Sequence, residues 1–433
     1  MSAATSRAVV PAVMAGHFAA SFAALGMPPF FGLVLEQSLH NDARFLAGWL
    51  YVLPTLFAAL SSPWWGRLAD RYGKKRLLIR AQLGLAASFL LAGFATSTWT
   101  FAAALALQGL LGGTFAASNA YLATVASGPA LARSLTAMQW SARAALVAAP
   151  AALGLLLQAK GSSPIEVYRW MALLPLLAAG LAAFLPAGGA AHRAPGRAAA
   201  TSAPELSARG VYLLQFGFVF STVSTFPYFA AHVQQHFAGM STAAAGLLFG
   251  LPHAVYLVAA WPLTRWSTRG RRSRWLVVSF AALLASLLGQ AVAASPLSLI
   301  ACRLLMGAAM TMGFIALHGL IAATVHAGNA GRSFGWFESS SKWGAVAAGL
   351  AAGLAAQSWG LRAPFWLAAA ALIPALAGLA VVALRRLPSG SALPTASSSP
   401  FSLPSSSSSS SPSSSSDSMG APACTRPTPG TQS

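Results

Sequence analysis

The chain has 433 residues, of which 56% are hydrophobic and 8% charged, with a mean hydropathy of +0.63. A soluble protein carries about 25% charged residues to dress its surface, so this composition excludes a soluble globular protein and points to a bilayer as the main solvent. The net charge of +20 comes from 27 basic and 7 acidic residues scattered between apolar stretches, not from a basic stripe with stacking aromatics, so nucleic acid is not an expected partner.

A membrane-spanning helix needs about 20 mostly apolar residues. Six such stretches occupy 9–35, 44–65, 77–96, 98–122, 134–158 and 167–187. Six more follow at 210–236, 242–265, 275–294, 297–324, 333–357 and 363–384. They are apolar all round, which fits lipid-facing or bundle-buried helices and not the alternating strands of a barrel. The first stretch is too long for a cleaved signal, whose apolar region runs roughly 7–15 residues. Residues 188–209 break the pattern with Gly, Pro and charge, so they read as a linker. From 387 to 433 the chain is Ser and Pro, with too little apolar surface to offset the entropy of ordering, and reads as a disordered tail. Cys424 lies in that tail without a CaaX box, so lipidation is not expected. Cys302 and Cys424 supply neither a disulfide framework nor a thiolate metal site.

Basic residues sort to one side of these stretches. Twenty, among them Arg67 to Arg80 and Arg265 to Arg274, fall on what the excess of Lys and Arg marks as the cytoplasmic face. Arg44, Lys160, Arg169 and Arg362 fall outside, and Arg143, Arg303 and Lys342 within the membrane. Both termini are therefore expected in the cytoplasm, and the net charge reads as topology signal and affinity for anionic membrane lipid.

The second half repeats the first. An offset of 199 aligns 133–158 with 332–357, with ten of 26 positions identical, more than an Ala- and Leu-rich composition gives by chance. It sets Gln139 opposite Glu338, Arg143 opposite Lys342, and Pro28 opposite Pro227. An offset of 198 sets Leu53-Pro54 opposite Leu251-Pro252 and Gln108-Gly109 opposite Met306-Gly307. The fold class is thus an all-α membrane protein of twelve transmembrane helices in two pseudo-symmetric six-helix bundles. The N-terminal bundle spans 1–187 and the C-terminal bundle 210–386. Parallel halves of this kind place a binding site at their interface near the midplane.

The sharpest motif is Gly66-Arg67-Leu68-Ala69-Asp70-Arg71-Tyr72-Gly73-Lys74-Lys75-Arg76, read as the short loop between the second and third helices. Gly66 and Gly73 permit a tight loop with close backbone approach, and Asp70, a lone acid among bases, can cap a helix or pair with Arg71. The motif resembles the loop signature of the major facilitator superfamily. By that resemblance Gly66, Asp70, Arg71, Gly73 and Lys74 form a cytoplasmic gating latch whose ion pairs and helix-dipole contacts break when the cavity opens inward. The resemblance extends over 9–384 and implies a secondary transporter without cofactor. A second family signature, an Arg before Gln-Gly on the fourth helix, is incomplete, since Leu105 stands where the Arg would be. Its spacing reappears at Arg303 and Gly307 on the tenth. Pro150 and Gly154 look like a degraded form of the Gly-Pro bend of the drug and metabolite exporters, and Leu25 to Pro29 is a weaker echo. Pro150 would kink its helix, and small neighbours permit close packing.

Ionisable residues inside spans are costly and mark function. Counting from Arg332 at about 1.5 Å per residue puts Glu338 about 9 Å and Lys342 about 15 Å deep, four apart on one face, where they can pair. Arg143 reaches a similar depth in the other half. Arg143, Lys342, Arg303 and Gln139 are the cavity candidates, and three cations against one acid suggest an anionic cargo. Glu338 is the candidate for proton coupling. His17, His232, His253 and His318 lie in or near spans and read as helix contacts. Without GxxxxGK[ST] an ion gradient must supply the drive. The expected function is proton-coupled efflux of a small organic molecule, an anionic metabolite such as a carboxylate siderophore or a drug, by a monomer in the bacterial inner membrane. The alternative is a symporter importing a sugar or organic acid. A membrane-embedded enzyme is the remote alternative, since HExxH and acidic clusters are absent.

Overall fold

The computed structural model describes residues 3–126, 128–158, 163–187, 205–267, 272–324 and 330–384. Residues 188–204 of the expected linker and the expected tail lie outside them.

Among the described residues, twelve helical crossings follow one another. The first runs as Ala3–Gly26, a 3₁₀ turn at Pro28–Phe30, Phe31–Leu33 and a π turn at Val34–Ser38. Phe45–Tyr72 and Lys74–Gly93 form the second and third. The fourth is broken into Thr98–Leu111 and Thr114–Val125. Gly128–Gln158 is the fifth, and Val167–Met171 with Leu173–Ala183 the sixth. In the second half the seventh comprises Ala208–Val223, a 3₁₀ turn at Phe226–Tyr228 and Phe229–His236. Thr242–Ser267, Arg272–Val292, Pro296–Thr324 and Ala330–Trp359 are the eighth to eleventh, and Ala363–Ala370 with Leu372–Leu384 the twelfth.

Among the described residues, ten segments are long and apolar enough to cross a membrane alone. Val167–Ala183 is short, and the eleventh helix is diluted by Glu338, three serines and Lys342. Such a helix is tolerated where its polar side faces a cavity and not lipid. Large apolar side chains such as Trp99, Phe184 and Val258 point outward, as lipid requires. Alanines and glycines fill the contacts between helices, where backbones must approach because lipid supplies no hydrophobic drive.

Three sequence expectations are corrected. The fourth crossing, read as one span over 98–122, is interrupted at Gly112-Gly113, with Gly113 in the left-handed region at φ 82°. The second helix runs to Tyr72 instead of ending at 65, and the third begins at Lys74 instead of 77. Most of the presumed loop is therefore helical. Hydropathy marks where a helix leaves the lipid, and this one continues past that point on polar residues. The turn shrinks to Gly73, whose φ of 92° and ψ of 145° suit glycine alone.

The repeat is visible in the packing. Pro28 opens a 3₁₀ turn in the first crossing, and its counterpart Pro227 is the second residue of one in the seventh. Gly109 packs against Pro54, and its counterpart Gly307 against Pro252. Gly48 lies on Gly349 between the second and eleventh helices, as Gly246 lies on Pro150 between the eighth and fifth. Those last two contacts join the halves and are one junction used twice by the repeat.

Candidate functional site

Between the halves lies a cavity of about 550 Å³. Its wall includes His17, Tyr51, Gln108, Gln139 and Arg143 from the first half and Glu338 and Lys342 from the second. The repeat-related pairs Gln139/Glu338 and Arg143/Lys342 thus face one volume. That follows from spacing: 139 and 143, like 338 and 342, are one helical turn apart and share a face. No hydrogen bond or ion pair within 4.0 Å joins Glu338 to Lys342 among the described residues, contrary to the pairing the spacing allowed. The Glu338 side chain is open to the cavity.

Arg143 crosses to the other half. Its Nη1 donates to Nδ1 of His253, 3.1 Å away, and its guanidinium lies 4.9 Å from the Tyr256 ring centre and 4.4 Å from that of Phe314. A guanidinium can only donate, so Nδ1 accepts and this imidazole is neutral. Aromatic faces offset part of the cost of a desolvated cation. His253, Tyr256 and Phe314 are partners that sequence reasoning did not assign. No short-range signal pairs a histidine of the eighth helix with an arginine of the fifth.

Arg303, expected in the cavity, is not on its wall. It is 2% exposed, with Nε donating to the Leu248 carbonyl at 2.9 Å and Nη2 to that of Phe249. Nη1 reaches Gln290 Oε1 at 3.4 Å, and the Phe229 ring lies 4.2 Å away. Pro252 explains the placement. It has no N–H for the carbonyl of Leu248, four residues back, and its ring crowds that same carbonyl, so a donor from outside the helix is needed there. Arg303 satisfies both carbonyls, which lipid cannot.

At the end bearing residues 66–76, Gly66 has open space where a Cβ would project, so no close approach is made there in this state. Arg71 is exposed beside the Tyr72 ring, 5.4 Å from its centre. Asp70 occupies the last turn of the second helix, and the residue ahead of the third helix, where a cap would sit, is Gly73. Lys75 Nζ ties this turn to the Ala183 carbonyl of the sixth crossing at 2.8 Å.

At the opposite end the halves are in backbone contact. Pro150 carries the carbonyl on which Gly246 rests, and Gly154 sits against Thr242 and Ala243. The fifth helix is continuous through Pro150. Across the other junction Tyr228 Oη is inserted into the first turn of the second helix. It accepts from the Gly48 N–H at 2.8 Å and donates to the Arg44 carbonyl at 3.2 Å. The Phe45 N–H donates to Gln357 Oε1 at 3.4 Å. Tyr228→Phe leaves a buried N–H without a partner, at a cost of about 1–3 kcal/mol. It is expected to raise alkylation of a cysteine placed at Ala47 roughly tenfold, read by maleimide labelling.

The fold, the repeat and the cavity between halves define the class, a membrane transporter built of two bundles. The profile of the Major Facilitator Superfamily matches residues 13–238 and 211–415, and the chain belongs to that family. It is similar to the multidrug resistance protein MdtG of Salmonella paratyphi A, 43% identical over 101 residues, 23% of this chain and 25% of that protein. MdtG of Salmonella arizonae is 42% identical over 99 residues, 22% of this chain and 24% of that protein. The match thus spans about a quarter of these relatives. Among solved structures, a bacterial homologue of the human lysosomal transporter Spinster, inward-facing and occupied, superposes with TM-score 0.73 and 12% identity over 89% of this chain and 98% of that one. The nucleoside transporter NupG (D323A mutant) gives 0.71 with 11% identity over 86% and 99%. The human organic anion transporter MFSD10 gives 0.61 with 18% identity over 86% and 99%.

Proposed function

We propose that this transporter exports a small organic anion in exchange for protons. The carrying observation is the cavity wall, where Arg143 and Lys342 face a single acid, Glu338. Two cations against one carboxylate in a desolvated volume favour cargo that brings negative charge. Glu338 shares that volume without an ion pair to Lys342, so it is the group on which proton and cargo compete. Exchange follows when each favours a different facing state. One chain encloses the whole cavity, and a monomer suffices.

Direction rests on the partial kinship with multidrug resistance proteins and on the position of Pro150 and Gly154 at the junction that closes one end. The excess of basic residues supports an orientation in which the end bearing residues 66–76, and both termini, face the cytoplasm, and the membrane of this reading is a bacterial inner membrane. The turn with Gly66, Asp70, Arg71, Gly73 and Lys74 then acts as the latch that closes that end in the opposite state. The free space at Gly66 leaves room for such a closure.

Carboxyfluorescein and rhodamine 123 share a xanthene frame and differ in charge, which makes them matched probes. Inverted vesicles given an inside-acid gradient are expected to accumulate carboxyfluorescein and not rhodamine 123. Arg143→Gln with Lys342→Gln should lower that flux at least about tenfold, since each lost charge contact is worth roughly 1.5–3 kcal/mol. Rhodamine 123 flux without carboxyfluorescein flux would contradict the anionic reading. Uptake driven in the opposite sense would make the protein an importer.

A further inference from the structure

We infer that the break in the fourth crossing is a carboxylate-binding subsite of the cavity, formed by the N-terminus of Thr114–Val125 and His17; this rests on the cavity being the cargo site. The two halves of that crossing differ in how their ends are satisfied. Leaving Thr98–Leu111, the carbonyl of Leu110 accepts from Trp65 Nε1 at 2.7 Å. Those of Leu111 and Gly112 accept from the Arg80 guanidinium, which stacks on Trp65. The outgoing end is therefore capped.

The incoming end is not. Gly113 precedes it and supplies no side-chain cap. The first backbone bond of the segment is Ala117 N–H to the Gly113 carbonyl, 3.0 Å. The amides of Thr114, Phe115 and Ala116 come before it, and Gly113, Thr114 and Phe115 line the cavity. A helix start of this kind carries partial positive charge and donors aimed at an anion.

An independent observation lies beside it. His17 is 3% exposed, lines the same cavity, and its Nδ1 has no partner. Its ring centre is 5.2 Å from that of Phe115, and its Nε2 lies 3.2 Å from Ser21 Oγ. A buried ring nitrogen without a partner is costly unless something visits it. With the Ser21 hydroxyl donating to Nε2, Nδ1 carries the proton and is a fourth donor beside the three amides.

The repeat strengthens the assignment. Where the first half has Gly112-Gly113-Thr114, the second has Met310-Thr311-Met312, and its helix runs unbroken from Pro296 to Thr324. The fold does not require the interruption. It occurs only in the half that lacks a counterpart of Arg303, and it opens onto the cargo volume. A cargo with two acidic groups is held at two poles, one at Arg143 and Lys342 and one here.

The test is carboxyfluorescein anisotropy with purified full-length protein. Thr114→Asp puts a tethered carboxylate at the helix start and should weaken dye binding about tenfold. His17→Gln should weaken it severalfold. An unchanged thermal midpoint without dye shows each variant is folded. Wild-type affinity in both Thr114→Asp and His17→Gln, with binding lost in the Arg143→Gln, Lys342→Gln protein, would overturn the subsite and leave the anionic-cargo reading standing. Absence of dye binding by the wild type would overturn that reading and the subsite with it.

Discussion

Gly246→Val is expected to abolish transport in a protein that still folds and inserts. A Cβ at 246 runs into the Pro150 carbonyl and the Ala151 nitrogen, which are backbone atoms and cannot swing aside. Overpacking of this kind costs up to about 3 kcal/mol, and at about 1.4 kcal/mol per tenfold that is roughly a hundredfold in the population closed at this end. Gly48→Val should act in the same way through Gly349, because the repeat makes it the same junction. Gly180→Val, where a Cβ meets open space, is the control and should keep wild-type flux. Near-normal carboxyfluorescein flux in both junction variants would mean that this end need not close tightly.

Arg303→Leu should cost about 2–5 kcal/mol, because it leaves the Leu248 carbonyl buried without a donor and removes the bond to that of Phe249. The defect would appear as a lower midpoint of thermal unfolding in detergent. The diagnostic comparison is Arg303→Leu with Pro252→Ala. Alanine restores the N–H that the Leu248 carbonyl lacks, so the double variant should recover at least half of the lost stability. No recovery would show that Arg303 stabilises the protein by some route other than the proline gap.

These two cases mark how far the sequence carries. Residues related by the repeat and by one helical turn, Gln139, Arg143, Glu338 and Lys342, reach the same cavity because both relations are fixed by chain geometry. Arg303 reads as a third cavity cation only because it is an ionisable residue within a span. Its role depends on which carbonyls Pro252 frees in a neighbouring helix, a contact distant in sequence. Arg143 was visible as a charge but not its crossing to His253, for the same reason. The break in the fourth crossing was within reach, since adjacent glycines at 112 and 113 interrupt an otherwise apolar run. Apolarity gave the span, and only backbone conformation reveals that it is two helices. The helical extension through Gly66 to Tyr72 is not legible in the sequence, because hydropathy reports where lipid ends, not where hydrogen bonding does.

The most direct test of rocking halves is a reversible bridge across the closed end. Phe45 and Gln357 are joined across it by a 3.4 Å hydrogen bond. With Cys302 and Cys424 replaced by serine, cysteines at 45 and 357 linked by a short bis-methanethiosulfonate should hold that end shut. Carboxyfluorescein flux is expected to fall to background when the bridge forms and to return on reduction. Undiminished flux through the bridged protein would contradict alternating access.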